Sequence, residues 1–302
     1  MNPATPLNEI TAEFGTRLRM SEPMSRHTSW HAGGPADVFF EPRDAMDLAA
    51  FLAKLPRQMA VLWVGLGSNL LVRDGGVRGV VVSTHAALQG LARIGESQIR
   101  AEAGVHCARI AKQCVKWGLG PAEFFAGIPG TLGGALAMNA GAYGGETWNH
   151  VIEVEVMDHA GSRRTRTRAE YEVGYRQARG PQGECFIAAR LRFEPRPDST
   201  LDTIRGLLVQ RRQSQPIGEW SCGSVFTNPA GDHAARLIEA AGLKGFRMGD
   251  ASVSLKHANF IINHGNARAA ELEGLILHVQ QVVSDRFGVR LRPEVRIVGE
   301  PA

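Results

Sequence analysis

The chain reads Gly65-Leu66-Gly67-Ser68-Asn69-Leu70 directly after the apolar run Val61–Val64. A second glycine loop reads Gly127-Ile128-Pro129-Gly130-Thr131-Leu132-Gly133-Gly134. Successive glycines let backbone N–H groups turn toward an anion and let the chain approach it closely. The residues that end the first motif, Leu70-Leu71-Val72, are typical of a new strand. We therefore predict that the loops form a diphosphate cradle in a strand-rich chain, without a helix.

Neither loop matches the two common phosphate motifs. A Rossmann fingerprint needs a third glycine where Leu70 stands, and a helix should follow it. A P-loop needs a Gly-Lys pair, and the sequence contains none. The loops thus indicate a phosphate site of another architecture.

The composition is that of an ordinary globular protein. With 302 residues the chain can form one large domain or, as we expect, two modest ones. Hydrophobic residues make up 44% and charged residues 21%, and the net charge is +4. Arg far outnumbers Lys, and guanidinium groups suit phosphates and carboxylates. A general preference of the coding sequence for Arg explains most of these positions equally well.

The cysteines and the N-terminal residues indicate the cellular compartment of the protein. Four cysteines show no C-x-x-C pair and no metal-ligand spacing with His, so we expect isolated thiols and no metal site; they are Cys107, Cys114, Cys185 and Cys222. No apolar run approaches the roughly 18 residues of a membrane span, and residues 1–19 do not resemble a signal peptide. We expect a cytoplasmic protein without membrane insertion.

The order of predicted elements indicates an α+β fold with mixed sheets. Residues 1–25 are expected as a loosely structured lead-in, 26–195 as a first domain and 199–302 as a second, with a stiff polar linker at 194–198. Short strand-like runs dominate the first domain; they are 37–40, 61–64, 79–83, 98–102, 151–158, 163–167 and 186–193.

Helical patterns are fewer. In the first domain they cover 44–55 and 105–117, the second ending at Gly118. In the second domain helix-like stretches at 200–213 and 232–241 precede a strand at 259–263, a clear apolar helical stripe from Leu272 to Phe287, and a last strand at 294–298. Asn266 can cap the start of the striped helix and Gly288 its end.

Three polar segments suggest chemistry, each beside a plainer interpretation. In 223–229 the Ser224 hydroxyl could project from a tight turn, although an ST-turn or a helix cap is equally consistent. There is no G-x-S-x-G elbow, which argues against a hydrolase serine. Arg176 could equally be an arginine of a surface loop without a function. Glu294 lies at the start of a strand and could equally be a solvated acid.

Two further segments carry weaker signals. His257 lies within the polar segment 254–260. A lone histidine at such a place is more often a hydrogen-bonded structural residue than a catalytic acid or base. The alternation of Arg and Thr over 163–168 fits the solvated face of an edge strand. It is weak support for nucleic-acid binding because aromatic residues are not interleaved.

Together these segments resemble the UDP-N-acetylenolpyruvoylglucosamine reductase family, flavoenzymes that complete UDP-N-acetylmuramate for bacterial peptidoglycan. The resemblance spans roughly 26–299, and nine segments in one order argue against coincidence. They are 27–29 with 33–37, 65–72, 127–134, 138–144, Tyr175-Arg176, Gln215-Pro216, 223–226, 257–260 and 294–296. The short stretch after Tyr175-Arg176 resembles the compact type of this family.

The resemblance implies that 26–195 is an FAD-binding domain of the vanillyl-alcohol-oxidase (PCMH) type in two α+β subdomains, and that 199–302 is an α+β substrate-binding domain. The implied cofactor-binding residues lie in the two glycine loops and just after the second; they are Gly65, Gly67, Ser68, Asn69, Leu70, Gly127, Ile128, Gly130, Thr131, Gly133, Gly134, Asn139 and Gly141.

The implied reaction is NADPH-dependent reduction of UDP-N-acetylglucosamine enolpyruvate to UDP-N-acetylmuramate through FAD. By resemblance Arg176 stabilises the charge that develops on the substrate carboxylate, Ser224 supplies a proton, and Glu294 completes the polar site. NADPH and the nucleotide substrate are expected to share one cavity in a monomer. Three positions depart from the family pattern, which puts their outer contacts in question; they are His27, Ala178 and Thr227.

Two alternatives remain open from the sequence. One is another FAD-dependent oxidoreductase on the same scaffold with a different small substrate, which the enolpyruvyl nucleotide would fail to reoxidise. The other is a non-catalytic module that binds nucleotides or RNA through its arginines. A yellow purified protein with a flavin absorption band excludes that module, whereas retention on nucleic acid at physiological salt without flavin favours it. We expect the protein to bind flavin and not to bind nucleic acid.

Overall fold

The structure is a computed structural model that describes residues 13–302. These residues divide into two compact units of discontinuous sequence. The first unit contains 13–20, 38–65 and 79–208, and the second contains 21–37, 66–78 and 209–302. Both units mix helices with sheets, so the predicted α+β class is confirmed.

Strands are short and numerous. In chain order the described strands are β1 Leu18–Pro23, β2 Pro35–Phe40, β3 Val61–Val64, β4 Leu70–Val72, β5 Val77–Ser83, β6 Leu91–Ile94, β7 Gln98–Glu102, β8 Leu119–Gly120, β9 Gly141–Ala142, β10 Gly145–Glu146, β11 Val151–Asp158, β12 Arg163–Thr167, β13 Glu172–Gly174, β14 Gln177–Arg179, β15 Glu184–Arg192, β16 Glu194–Pro195, β17 Arg247–Met248, β18 Ala251–Val253, β19 Ile261–Asn263 and β20 Arg296–Val298. The described α-helices are Ala45–Lys54, Cys107–Lys116, Leu132–Met138, Leu201–Ser214, Ala234–Ala240 and Ala269–Phe287. No helix in this part of the chain is long and apolar enough to cross a bilayer.

Two larger sheets organise the first unit. A four-stranded sheet has the order β1-β2-β5-β3, and its β3 and β5 run parallel. A five-stranded sheet has the order β12-β11-β15-β7-β6 with antiparallel neighbours. The unit thus contains a parallel pair in one sheet and antiparallel pairs in the other, and β12, rich in Arg, lies at an edge as expected.

Each of these sheets has its own apolar core. Helix Ala45–Lys54 begins because the Asp44 carboxylate accepts from two amides of its first turn at 2.8 Å. It places Phe51 against Phe40, with ring centroids 3.9 Å apart. Helix Cys107–Lys116 buries one face in the other core and is followed by Gly118 at φ +66°, the predicted C′ residue.

The second unit is built around one long helix. Helix Ala269–Phe287 buries an apolar stripe in a single core shared with β18 and β19. The stripe comprises Leu272, Leu275, Ile276, Val279 and Val283. A parallel pair, β4 with β20, lies in the same unit and sets Leu70 opposite Arg296.

The start of this helix corrects one prediction. Asn266 does not cap it, because the helix begins at Ala269 and the Asp74 carboxylate accepts from the amides of Ala269 and Ala270 at 2.9 Å. An acid distant in sequence therefore satisfies the helix N-terminus. Gly288 does end the helix, at φ +66°, as predicted.

A second correction concerns the segment expected as a loosely structured lead-in. Residues 18–23 form β1, and a 3₁₀ turn at Met24–His27 follows. The side chain of Leu18 is buried with Phe14 in the core of the four-stranded sheet. The strand has only three apolar side chains, too few for a period of two to stand out in the sequence. Residues 1–12 of the lead-in lie outside the described residues.

Truncation of the long helix tests this packing. Leu275 is fully buried, whereas Leu277, two positions along the same helix, is 57% exposed. We expect Leu275→Ala to lower the free energy of unfolding by about 2–5 kcal/mol, because it leaves a cavity in the core. Leu277→Ala should change it by less than about 0.5 kcal/mol. Urea denaturation followed by circular dichroism measures both, and equal effects would contradict the described core.

Candidate functional site

The first glycine loop connects β3 to β4, so the predicted strand at 70–72 is confirmed. Gly67 adopts φ +61°, and a Cβ there would lie 1.9 Å from the carbonyl oxygen of His27. The carbonyl of Gly67 accepts from the amide of Ser29 at 3.3 Å. Glycine is required at 67 because another part of the backbone passes directly behind it.

The amides of this loop are left available. Among the described residues, no acceptor pairs with the backbone N–H groups of residues 66–69. The Asn69 side chain, in contrast, donates to the Glu294 carbonyl at 3.1 Å, and the Asn69 carbonyl accepts from Arg296 at 3.1 Å. The loop is thus fixed at its end while its amides remain free to bind an anion.

The second glycine loop differs from the prediction, because it opens a helix. Residues Leu132–Met138 form a seven-residue α-helix whose preceding residue, Thr131, is extended. Small residues make this helix narrow, and the side chains of Leu132 and Leu136 on one of its faces are buried. The amides of Leu132 and Gly133 donate to the carbonyls of Val105 and Ala103, at 2.9 and 2.8 Å. These two amides therefore stabilise the fold and are not available to a ligand.

The two loops meet at Gly65 and Thr131. A Cβ on Gly65 would lie 2.4 Å from the Thr131 Oγ1 atom. Thr131 is 1% exposed, and within residues 13–302 its Oγ1 has no hydrogen-bond partner. A buried hydroxyl without a partner is costly and calls for an explanation such as a bound ligand. A Cβ on Gly134, one helical turn away, would meet nothing within 4 Å, so space is open beside the loop.

Other residues of the second loop and the segment after it also have close neighbours within the protein. A Cβ on Gly127 would lie 2.5 Å from the Ala142 Cβ, and one on Gly141 would lie 2.2 Å from the carbonyl oxygen of Gly145. Ile128 is buried, and its amide donates to the Phe125 carbonyl at 3.1 Å. Gly130 accepts from the amide of Cys107 at 2.9 Å. These positions hold the loop in place around Thr131.

Arg176 lies in the turn of a two-stranded hairpin. β13 and β14 pair so that Gly174 faces Gln177, which leaves Tyr175 and Arg176 as the two turn residues. Arg176 has φ +55°, a conformation that L-residues rarely adopt. Its Nη2 donates to the Gly141 carbonyl at 3.0 Å. A strained residue of this kind persists only where its surroundings hold it, and such strain is concentrated at functional sites.

Asn139 is an internal hydrogen-bonding residue at the end of helix Leu132–Met138. It is 1% exposed and left-handed, at φ 44°. Its Nδ2 donates to Glu146 Oε2 at 2.9 Å and to the Gly174 carbonyl at 3.0 Å. Its Oδ1 accepts from the Trp148 amide at 3.1 Å. Both amide hydrogens of Asn139 are thus used within the protein.

Ser224 precedes a segment held between two others in the second unit. The amide of Val225 donates to the Asn259 carbonyl at 2.9 Å, and the Val225 carbonyl accepts from the Glu294 amide at 2.7 Å. The Asn259 Oδ1 accepts from the Phe226 amide at 2.9 Å, and the Asn259 Nδ2 donates to the Phe226 carbonyl at 2.8 Å. Gly223, at φ +82°, turns the chain just before the serine.

Glu294 and Ser224 are therefore brought together with the end of the first glycine loop. The Glu294 amide donates to the carbonyl of Val225, the residue after Ser224, and the Glu294 carbonyl accepts from the Asn69 side chain. Both Ser224 and Glu294 are partly exposed. The structure joins three sequence-predicted site segments here through backbone contacts that local patterns do not reveal.

Two residues for which the sequence predicts no role hydrogen-bond to predicted site segments. Asn259 aligns the serine segment, and Glu146 orients Asn139. Asn259 lies in the polar segment 254–260, directly before an apolar strand. Polar residues at such a place are a sequence signal by which Asn259 could have been found. Glu146 lies just outside the 138–144 segment, and local sequence does not show that its carboxylate accepts from Asn139 within that segment.

Burial favours the neutral form of His257 and of the four cysteines. Burial, followed by the charge of Lys244, lowers the pKa of His257, whose Nδ1 accepts from the Asn259 amide at 3.3 Å. This contact supports the structural interpretation of His257. Burial also raises the pKa of all four buried cysteines, so the thiols are protonated at neutral pH. No cluster of His, Cys, Asp or Glu among residues 13–302 has the arrangement of a metal site.

Comparison with known protein families identifies two matching regions. The FAD binding domain family matches residues 36–166. The family described as UDP-N-acetylenolpyruvoylglucosamine reductase, C-terminal domain, matches residues 215–298. The FAD-binding match contains both glycine loops, and the second contains Ser224 and Glu294.

Whole-chain comparisons agree with these matches. The UDP-N-acetylenolpyruvoylglucosamine reductase of Alkalilimnicola ehrlichii is 57% identical, over 94% of this chain and 95% of its own length. That of Methylococcus capsulatus is 53% identical over 92% of each chain. The crystal structure of the Thermus caldophilus enzyme of the same type has a TM-score of 0.80 and 32% identity, covering 93% of this chain and 97% of its own.

These similarities confirm the resemblance inferred from the sequence motifs, and with it the FAD-binding α+β domain followed by a C-terminal α+β domain. The whole-chain similarities extend over 92–94% of this chain. The chain belongs to the UDP-N-acetylenolpyruvoylglucosamine reductase family.

Proposed function

We propose that this protein reduces UDP-N-acetylglucosamine enolpyruvate to UDP-N-acetylmuramate, with NADPH as co-substrate and FAD as cofactor, in the synthesis of peptidoglycan precursors. The observation that carries the proposal is the meeting of the two glycine loops at Gly65 and Thr131, beside a buried hydroxyl without a partner. A binding site for an anionic group explains that hydroxyl, and the family identifies the group as the FAD diphosphate.

The residues of the loops suit a diphosphate. The unpaired amides of residues 66–69 and the Thr131 hydroxyl are donors, and an anion requires donors. The open side of Gly134 leaves room that a larger residue would fill. We propose that the cofactor is held by the two loops and the residues just after them: Gly65, Gly67, Ser68, Asn69, Leu70, Gly127, Ile128, Gly130, Thr131, Gly133, Gly134, Asn139 and Gly141. For Ile128, Gly133 and Asn139 we propose that the contribution is to the shape of the site, because their backbone N–H groups donate within the protein and the Asn139 side-chain amide is engaged as well.

The bound flavin would accept hydride from NADPH and supply it to the substrate. The substrate is an enol ether conjugated to a carboxylate, so hydride addition at its terminal carbon places negative charge on the adjacent carbon and the carboxylate. We propose that Arg176 stabilises this charge, since a fixed cation beside developing negative charge lowers the barrier. Its strained backbone and its bond to Gly141 fix the guanidinium before substrate binds.

Ser224 is the proposed proton donor to the substrate carbon, and Glu294 the acid that completes the polar site. A serine hydroxyl is a weak acid, so it can donate only to a strongly basic recipient, and an enolate carbon is one. The backbone bonds that join Val225, Asn259 and Glu294 hold the serine segment rigidly, which a positioned donor requires.

The positions that depart from the family pattern have other partners here. Thr227 donates through its backbone amide and its hydroxyl to the Arg292 carbonyl, at 2.9 and 3.3 Å. His27 is paired with Glu22 at 2.9 Å. Ala178 lies in β14 within the Arg176 hairpin. We propose that none of the three contacts the substrate diphosphate.

We further propose that NADPH and the nucleotide substrate occupy the same cavity in turn, and that the protein acts as a cytoplasmic monomer. The absence of a separate pyridine-nucleotide motif in the sequence supports the shared cavity. Steady-state kinetics should then show each substrate competing with the other at high concentration.

Replacement of Ser224 tests the proposed proton transfer. We expect Ser224→Ala to be bleached by NADPH at the wild-type rate, but its reoxidation by the enolpyruvyl nucleotide should slow by about 10²–10⁴-fold, because the donor is lost. Anaerobic stopped-flow absorbance separates the two half-reactions. Ser284→Ala, on the long helix, is the control and should leave both rates unchanged. If Ser224→Ala retained both rates, the assigned role would be wrong.

A glycine-to-alanine pair tests the cofactor site. Gly134 and Gly206 are both helical, and a Cβ on either would meet nothing within 4 Å. We expect each alanine to stabilise its helix by about 0.5–1 kcal/mol in protein stripped of flavin. Gly134→Ala alone should lower the FAD content, since its methyl group enters the space assigned to the cofactor. Absorbance of the purified proteins and thermal unfolding measure both effects. Full flavin content in Gly134→Ala would contradict this location.

A further inference from the structure

Two hydrogen bonds close to its turn connect the hairpin that carries Arg176 to the rest of its unit. The carbonyl of Gly174, just before the turn, accepts from Asn139 Nδ2 at 3.0 Å. The Arg176 guanidinium donates to the Gly141 carbonyl at 3.0 Å. Both bonds lead to the same short segment, residues 139–146. The geometry of the arginine therefore depends on the rigidity of that segment.

Asn139 can hold the hairpin only in one orientation of its amide. Its Oδ1 accepts from the Trp148 amide, and Trp148 is fully buried with its indole N–H bonded to the Leu136 carbonyl at 2.7 Å. This contact directs the Nδ2 toward Gly174. A flipped amide would set two acceptors, the Asn139 oxygen and the Gly174 carbonyl, against each other.

Glu146 reinforces that orientation. Its Oε2 accepts the second hydrogen of Asn139 Nδ2 at 2.9 Å, a bond strengthened by the charge of the carboxylate. Glu146 is also paired with Gly141 in the ladder of β9 and β10. The same carboxylate residue thus lies beside both partners of these two hydrogen bonds, Asn139 and Gly141.

We propose that Glu146, acting through Asn139, is a positioning residue for Arg176. Arg176 occupies a backbone conformation that is unfavourable for an L-residue, so the turn relaxes unless it is held. The Glu146–Asn139 pair holds the carbonyl at the entry to the turn, and the guanidinium is thereby kept in one place. This inference rests on the proposed function for the role of Arg176, but the mechanical link from Glu146 to the hairpin stands on the structure alone.

Three variants test the link. Asn139→Ala and Glu146→Ala remove it, whereas Glu146→Gln retains an oxygen that can accept from Asn139. Glu172→Ala removes an exposed carboxylate from the same hairpin and serves as the control. Hydrogen–deuterium exchange of the peptide containing residues 174–177 reports the hairpin directly, without substrate. Flavin content and the two half-reactions are measured on the same preparations.

We expect exchange in the hairpin to be faster in Asn139→Ala and Glu146→Ala, and to remain at the wild-type rate in Glu146→Gln and Glu172→Ala. Reoxidation by the enolpyruvyl nucleotide should slow by about 10- to 100-fold in the first two variants, since a displacement near 1 Å has that effect. Reduction by NADPH and flavin content should be retained in Glu146→Ala, Glu146→Gln and Glu172→Ala. This split distinguishes positioning of Arg176 from a general loss of structure.

Several results would overturn the proposal. One is unchanged exchange in Glu146→Ala, and another is an effect of Glu146→Gln as large as that of Glu146→Ala. A parallel loss of flavin would assign the pair to cofactor binding instead. If the wild-type protein itself were not reoxidised by the nucleotide, the proposed function would fail, and the exchange measurements would still decide whether Glu146 holds the hairpin.

Discussion

Close packing against neighbouring parts of the chain is the constraint on which the first glycine loop and its contact with the second depend. At Gly67 and Gly65 a single added carbon would collide with a carbonyl oxygen of His27 or with the hydroxyl of Thr131. Packing this tight leaves the loops little freedom to collapse onto their own amides. In the described part of the chain the amides of residues 66–69 consequently stay unpaired. An anion can bind them without the cost of ordering a loose loop at each binding event.

The parts of this arrangement that sequence could predict are those determined by neighbours in the chain. The strand after the first loop follows from Leu70-Leu71-Val72, and the end of helix Cys107–Lys116 follows from Gly118 in its left-handed conformation. The long helix follows from a regular apolar stripe. Periodicity and special backbone conformations are local properties, so they are visible without coordinates.

What could not be predicted depends on partners distant in sequence. The N-terminus of the long helix is satisfied by Asp74 rather than by nearby Asn266, and no local rule selects an acid almost two hundred residues away. The helix after the second loop forms although two glycines weaken it, because Val105 and Ala103 accept its first amides. At the candidate site, motifs indicated Arg176, Ser224 and Glu294, whereas the supports Asn259 and Glu146 became evident only from their hydrogen bonds.

Burial of every native thiol has a practical consequence. Because Cys107, Cys114, Cys185 and Cys222 are enclosed and stay protonated at neutral pH, alkylating reagents should leave the folded protein unmodified. A single cysteine placed on the surface, for example at the exposed position Leu277, would then be the preferred site of attachment. Fluorophores and spin labels can therefore be introduced one at a time into the otherwise natural sequence, without first replacing any sulfur atom of the core.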